Sequence, residues 1–134
     1  MKQRPTLTLA DTRLILDAAA AHAQAQGWAV SITVVDDGGH PLGMLRLDGA
    51  SPLSTRISRA KAETSALGRS ETKRYEDIIN NGRTAFITAP TEGLLEGGVP
   101  IVVQGDVVGA VGVSGVKSPE DAEIARAGIA ALGL

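Results

Sequence analysis

The stretch Ile101-Val102-Val103-Gln104-Gly105-Asp106-Val107-Val108-Gly109-Ala110-Val111-Gly112-Val113-Ser114 decides the fold class. β-Branched residues flank Gln104-Gly105-Asp106, a turn-forming triplet, so the segment reads as a hairpin of two antiparallel strands. Upstream, Val30, Ile32 and Val34 alternate with Ser31 and Thr33, the period-two pattern of a half-buried strand. Asp36-Asp37-Gly38-Gly39-His40-Pro41 supplies turn chemistry, and residues 42–47 resume as a strand, which gives a first hairpin. Ala85-Phe86-Ile87-Thr88 predicts a further short strand between the two hairpins.

Helices fill the remaining space. Thr8 with Asp11 forms a capping box for a helix over residues 9–26, with Leu14, Ala18, Ala21 and Ala25 on one apolar face and Gly27 as the stop. Ser51-Pro52 opens a second helix over residues 52–67, whose apolar stripe is Leu53, Ile57, Ala60, Thr64 and Leu67. A short surface helix is expected within residues 70–83. Ser118-Pro119-Glu120-Asp121 caps a last one over residues 119–132. Strands in runs joined by short turns predict an α/β (α+β) fold with a mainly antiparallel sheet, in one domain spanning residues 1–134. The face of the 107–114 strand that carries Gly112, and Gly128 inside the last helix, suit a helix lying close on the sheet; a subunit or ligand contact is the alternative.

Composition removes whole classes of function. No cysteine occurs, which excludes disulfide scaffolds, thiolate metal sites, iron–sulfur clusters and cysteine nucleophiles. A net charge of −2 and only three aromatic residues (Trp28, Tyr75, Phe86) argue against nucleic-acid binding. No apolar run approaches the roughly 20 residues needed to span a bilayer. With no export signal in the first residues, a cytoplasmic location is expected.

Few residues offer chemistry. Gly109, Gly112 and Gly115 lack dinucleotide-fingerprint spacing, and Ser114 lacks the glycine two positions on that a nucleophile elbow requires. His22 borders an apolar helix face, either as a carbonyl-bonded histidine or as an axial iron ligand. His40 sits in a turn beside Asp36 and Asp37. Arg46 and Lys61 are the strongest polar pair: together they suit a carboxylate or haem propionates, and separately they read as a surface ion pair with Asp48 and a solvated lysine. The segment from residue 89 to 100, with Gly97-Gly98, is a place where a ligand can meet backbone.

Taken in order, these pieces resemble a known family. Val34-Val35-Asp36 with Gly38-Gly39-His40, Arg46-x-Asp48-Gly49-Ala50, Lys61-Ala62, Gly97-Gly98-x-Pro100-Ile101, Gly105-x-x-x-Gly109-Ala110-x-Gly112-Val113-Ser114-Gly115 and Asp121 through Ala127-Gly128 are similar to the GlcG/HbpS-like family. The resemblance covers nearly the whole chain. It implies a profilin-like three-layer α/β/α fold with a five-stranded antiparallel sheet, and a homo-oligomer built from dimers into assemblies up to octamers. It also implies haem or another small molecule as ligand. A first functional expectation follows, a homo-oligomeric small-molecule-binding protein with haem on His22 and with Arg46, Lys61, Gly97, Gly98 and Ser114 as ligand-binding residues. A second is a small hydrolase or isomerase of catabolism. There Arg46 and Lys61 hold a carboxylate, Asp48 or Glu92 acts as acid/base, and Gly97-Gly98 donate N–H groups to an oxyanion. A third is an assembly module without ligand.

Overall fold

The structure, a computed structural model, describes residues 1–134. Its elements are α1 (Leu9–Gln26), β1 (Ser31–Asp36), β2 (Pro41–Arg46), α2 (Pro52–Gly68), α3 (Lys73–Asn80), a 3-10 turn (Thr84–Thr88), β3 (Gly98–Val103), β4 (Asp106–Ser114) and α4 (Ser118–Ala130). Thr8 and Asp11 form the capping box that starts α1, and Gly27 ends it in the left-handed conformation at φ 74°. Gln104 and Gly105 both take positive φ, 50° and 83°, the requirement of a two-residue hairpin turn whose twist matches its strands.

The strands form one antiparallel sheet in the order β2-β1-β4-β3. α1 and α4 cover one face and α2 the other. The expectation of a five-stranded, profilin-like sheet is therefore corrected: the sheet has four strands. Residues 85–88, read as a strand, coil into the 3-10 turn. Their one large apolar ring, Phe86, stacks on Tyr75 of α3 with centroids 5.5 Å apart, and Arg83 lies over it. That aromatic partner holds the segment to α3.

Two further departures concern which faces are buried. In α1 the buried residues are Thr12, Ile15, Leu16, Ala19, Ala20 and Ala23, while Leu14 is exposed. An alanine-rich helix carries more than one apolar stripe, and the bulkier Ile15–Leu16 pair wins the core. In α2 the two leucines of the expected stripe face out, and only Thr64 of that stripe is buried. The helix buries Ser54, Ser58, Lys61, Ala62 and Ser65 against the sheet and leaves Leu53 and Leu67 at 60% and 54% exposure.

The cause lies in the strands beneath. Gly98, Gly112 and Thr33 form one row across β3, β4 and β1. A Cβ at Gly112 would lie 2.1 Å from the Ser58 carbonyl oxygen, and one at Gly98 2.4 Å from that of Lys61. The helix backbone rests on bare glycine, at a separation that only small side chains tolerate. Ser54 and Ser58 fit there because each shares a hydrogen bond with a sheet hydroxyl, Ser31 at 2.7 Å and Thr33 at 2.8 Å. The reading of Gly112 as a site of close helix–sheet packing holds. Gly128 serves a helix–helix contact instead, its face meeting Ile15 and Ala19 of α1. The β4 alternation also breaks once, at a bulge where Val108 has no partner opposite and joins the core beneath α1 and α4.

Replacing Gly112 by alanine drives a methyl group into backbone and should destabilise the chain by about 2 kcal/mol or more. Urea unfolding followed by circular dichroism measures this; an unchanged midpoint contradicts the close approach.

Candidate functional site

Lys61 is the largest fully buried side chain of the molecule, at 2% exposure. It leaves α2 on the face that meets β4, passes Gly97, and donates from Nζ to the Val113 carbonyl and to Asp121 Oδ2, both at 3.0 Å. Asp121, in the first turn of α4, also accepts from the Val116 N–H at 3.2 Å through Oδ1. Burial pushes the Asp121 carboxyl above the ordinary aspartate value of 3.8, against the opposing pull of Lys61 and the Val116 N–H. A buried ammonium is tolerated only with a partner of opposite charge, and Asp121 is that partner. Sequence reasoning read Asp121 as an acid of the helix cap and missed this role. The cap begins one residue earlier: Lys117 precedes the helix, and its N–H donates to Glu120 at 3.2 Å, which frees Asp121 to turn inward.

Arg46 is differently engaged. Its Nε and Nη2 both donate to the Ala50 carbonyl, at 3.1 and 2.8 Å, which fastens the connection between β2 and α2. Arg46 and Lys61 share no partner, and Asp48 is exposed beside a hollow near Trp28 rather than paired with Arg46. Gly97 and Gly98 are buried beneath Lys61. The Gly98 N–H is spent on Thr72 Oγ1 at 2.8 Å, and the Thr72 N–H returns to the Gly98 carbonyl. Ser114 is buried at the end of β4, in register with Ser31 and, beyond it, Arg46. The chain thus brings Lys61, Gly97 and Gly98 together with Asp121, but as the seat of α2, and leaves Arg46, Asp48 and Glu92 apart from them.

Glu92 stands on a different feature. It is exposed on the loop that crosses α2, where its carbonyl accepts from the buried Thr64 hydroxyl. With Ala60, Glu63, Thr64, Ala89 and Pro90 it lines an open cleft of about 540 Å³. A second hollow of about 380 Å³ adjoins on the α3 side, lined in part by Glu76, Ile79, Ile87 and Leu95.

His22 lies on the half-buried flank of α1, facing α4. Its Nε2 is 2.7 Å from Glu123 Oε2, and since a carboxylate accepts, Nε2 carries the proton in this arrangement. The Trp28 ring is 6.3 Å away and tilted. His40 sits on the exposed turn, with Nδ1 3.3 Å from Asp36 Oδ1. No group of three or more histidine or carboxylate side chains is placed to hold a metal ion. No helix is long and apolar enough to cross a membrane.

The chain is thus an α/β/α sandwich whose helix α2 is seated on glycine and locked by a buried lysine–aspartate pair. The family model described as "Haem degrading protein HbpS-like" matches residues 7–130, and the chain belongs to this family. Protein GlcG of Escherichia coli is 53% identical over 114 residues, which are 85% of this chain and 85% of that protein. The structure of a double mutant of Streptomyces reticuli HbpS superposes with a TM-score of 0.88 at 34% identity, covering all of this chain and 92% of that one. Klebsiella pneumoniae protein ORFY matches with a TM-score of 0.91 at 28% identity over 99% of this chain and 94% of its own. A PduOC:heme complex shares the fold, with a TM-score of 0.85 at 24% identity over 95% of both chains.

Breaking the buried pair from one side strands a charge. Lys61→Met or Asp121→Leu alone should cost about 3–5 kcal/mol, while the double variant recovers most of that loss. Denaturant midpoints of the three variants test it; additive losses contradict the pairing.

Proposed function

We propose that the chain is a cytoplasmic, homo-oligomeric small-molecule-binding protein whose ligand is haem, taken at the surface with His22 as the iron ligand. The observation that carries the reading is the state of His22: an imidazole accessible from solvent, beside the Trp28 ring, held only by a surface carboxylate. His40 lacks the aromatic neighbour and is tied into its own turn. The family description, which names haem, supports the same ligand class.

The fit is that of a surface donor rather than an enclosing pocket. The hollow that Trp28 lines measures about 240 Å³. That lies below the roughly 300–1,000 Å³ typical of enclosed small-molecule sites. His22 would hold the iron after Glu123 releases Nε2, and Trp28 would offer its ring to the porphyrin edge. Lys61 is closed to a propionate by its own ion pair, and Gly98 to an oxyanion by Thr72. The residues therefore favour binding over catalysis on a carboxylate.

Haemin titration of the purified protein should give a saturable, stoichiometric Soret shift. His22→Ala should weaken it by roughly tenfold or more and change its position, a loss of at least about 1.4 kcal/mol. Glu123→Ala, which releases Nε2, should bind at least as tightly as the native chain. Unsaturating binding, or a spectrum indifferent to His22→Ala, removes the reading.

A further inference from the structure

The outward stripe of α2 has a symmetry of its own. Leu53, Ala60 and Leu67 recur every seven residues, so they stand on one line along the helix, about 21 Å from end to end at 1.5 Å per residue. The two leucines are exposed, and the small Ala60 lies midway between them. Arg56 and Glu63, also seven apart and both exposed, follow the line on one flank, and neither has an ion-pair partner in its own chain. Beyond that flank, on the sheet face that α2 covers, the edge strand β2 exposes Leu42 and Met44.

We propose that this stripe is where a second copy of the chain docks, with the two α2 helices antiparallel across a two-fold axis at Ala60. The proposal rests on the homo-oligomeric reading above and locates its contact. The axis maps Leu53 onto the partner's Leu67, and the small Ala60 lets the helices approach. In an antiparallel pair the same flank of each helix meets itself, so Arg56 comes to face the turn that carries the partner's Glu63, and the reverse. A parallel pair would instead set this flank against the partner's opposite one, so that Arg56 and Glu63 would not meet across the seam. Charge complementarity therefore selects both the occupant and its direction. The 540 Å³ cleft shares Ala60 and Glu63 with the stripe, so the partner helix would stand at its mouth.

Sedimentation equilibrium with charge swaps tests the arrangement. Arg56→Glu and Glu63→Arg should each raise the dimer dissociation constant roughly tenfold or more, and the double swap should return it towards the native value. The chain has no cysteine, so single thiols report geometry cleanly. Ala60→Cys should link to itself on oxidation. Leu53→Cys alone should not, but should link when mixed with Leu67→Cys. If the native chain sediments as a monomer throughout, both the homo-oligomeric reading and this contact fall. If it assembles but ignores the swaps and Ala60→Cys stays unlinked, only the contact falls.

Discussion

How near α2 lies to the sheet governs the rest of the structure. A helix whose backbone carbonyls touch the Cα atoms of Gly98 and Gly112 leaves no room beneath it for leucine or isoleucine. The interface is filled by serine, threonine and alanine, and its hydroxyls satisfy one another. Little apolar area is buried there, since the larger core cluster lies on the opposite face with α1 and α4. Hydrogen bonds and one ion pair take the place that hydrophobic packing holds elsewhere.

The same constraint changes the meaning of the glycine motifs. Glycines grouped near the end of a strand suggest a phosphate cradle or an oxyanion hole when read as a string. In space, Gly97 and Gly98 are filled by Lys61 and Thr72, and Gly112 by the backbone of α2. They are the seat of a helix. Chemistry is left to the periphery, where His22, Glu92 and the α2 cleft remain open to solvent.

Much of the architecture was legible in the sequence. Caps, turns and period-two alternation located both hairpins and all the main helices, because these are local signals of the few residues involved. Two non-local facts were not. The choice of face on α1 and α2 depends on what the sheet presents, and α2 inverts the usual rule that leucine goes in. The partner of Lys61 lies sixty positions away, and only the requirement that a buried ammonium be neutralised could have suggested Asp121. Residues 85–88 carried a strand composition, but Phe86 found Tyr75 first. Lys61, read from the sequence as open to a ligand or to solvent, is sealed in its ion pair with Asp121.

The ion pair also joins two layers that the sheet separates. Lys61 belongs to the helix on one face and Asp121 to the start of a helix on the other, and they meet beyond the end of β4. Of the four lysines, Lys2, Lys73 and Lys117 are open to solvent, while the amine of Lys61 is sealed. An amine-acylating reagent can reach it only when α2 lifts off its glycine seat and α4 lets go at the same moment. The labelling rate of that one nitrogen is thus a built-in clock for the opening of the whole sandwich, read against three surface lysines that keep ordinary time.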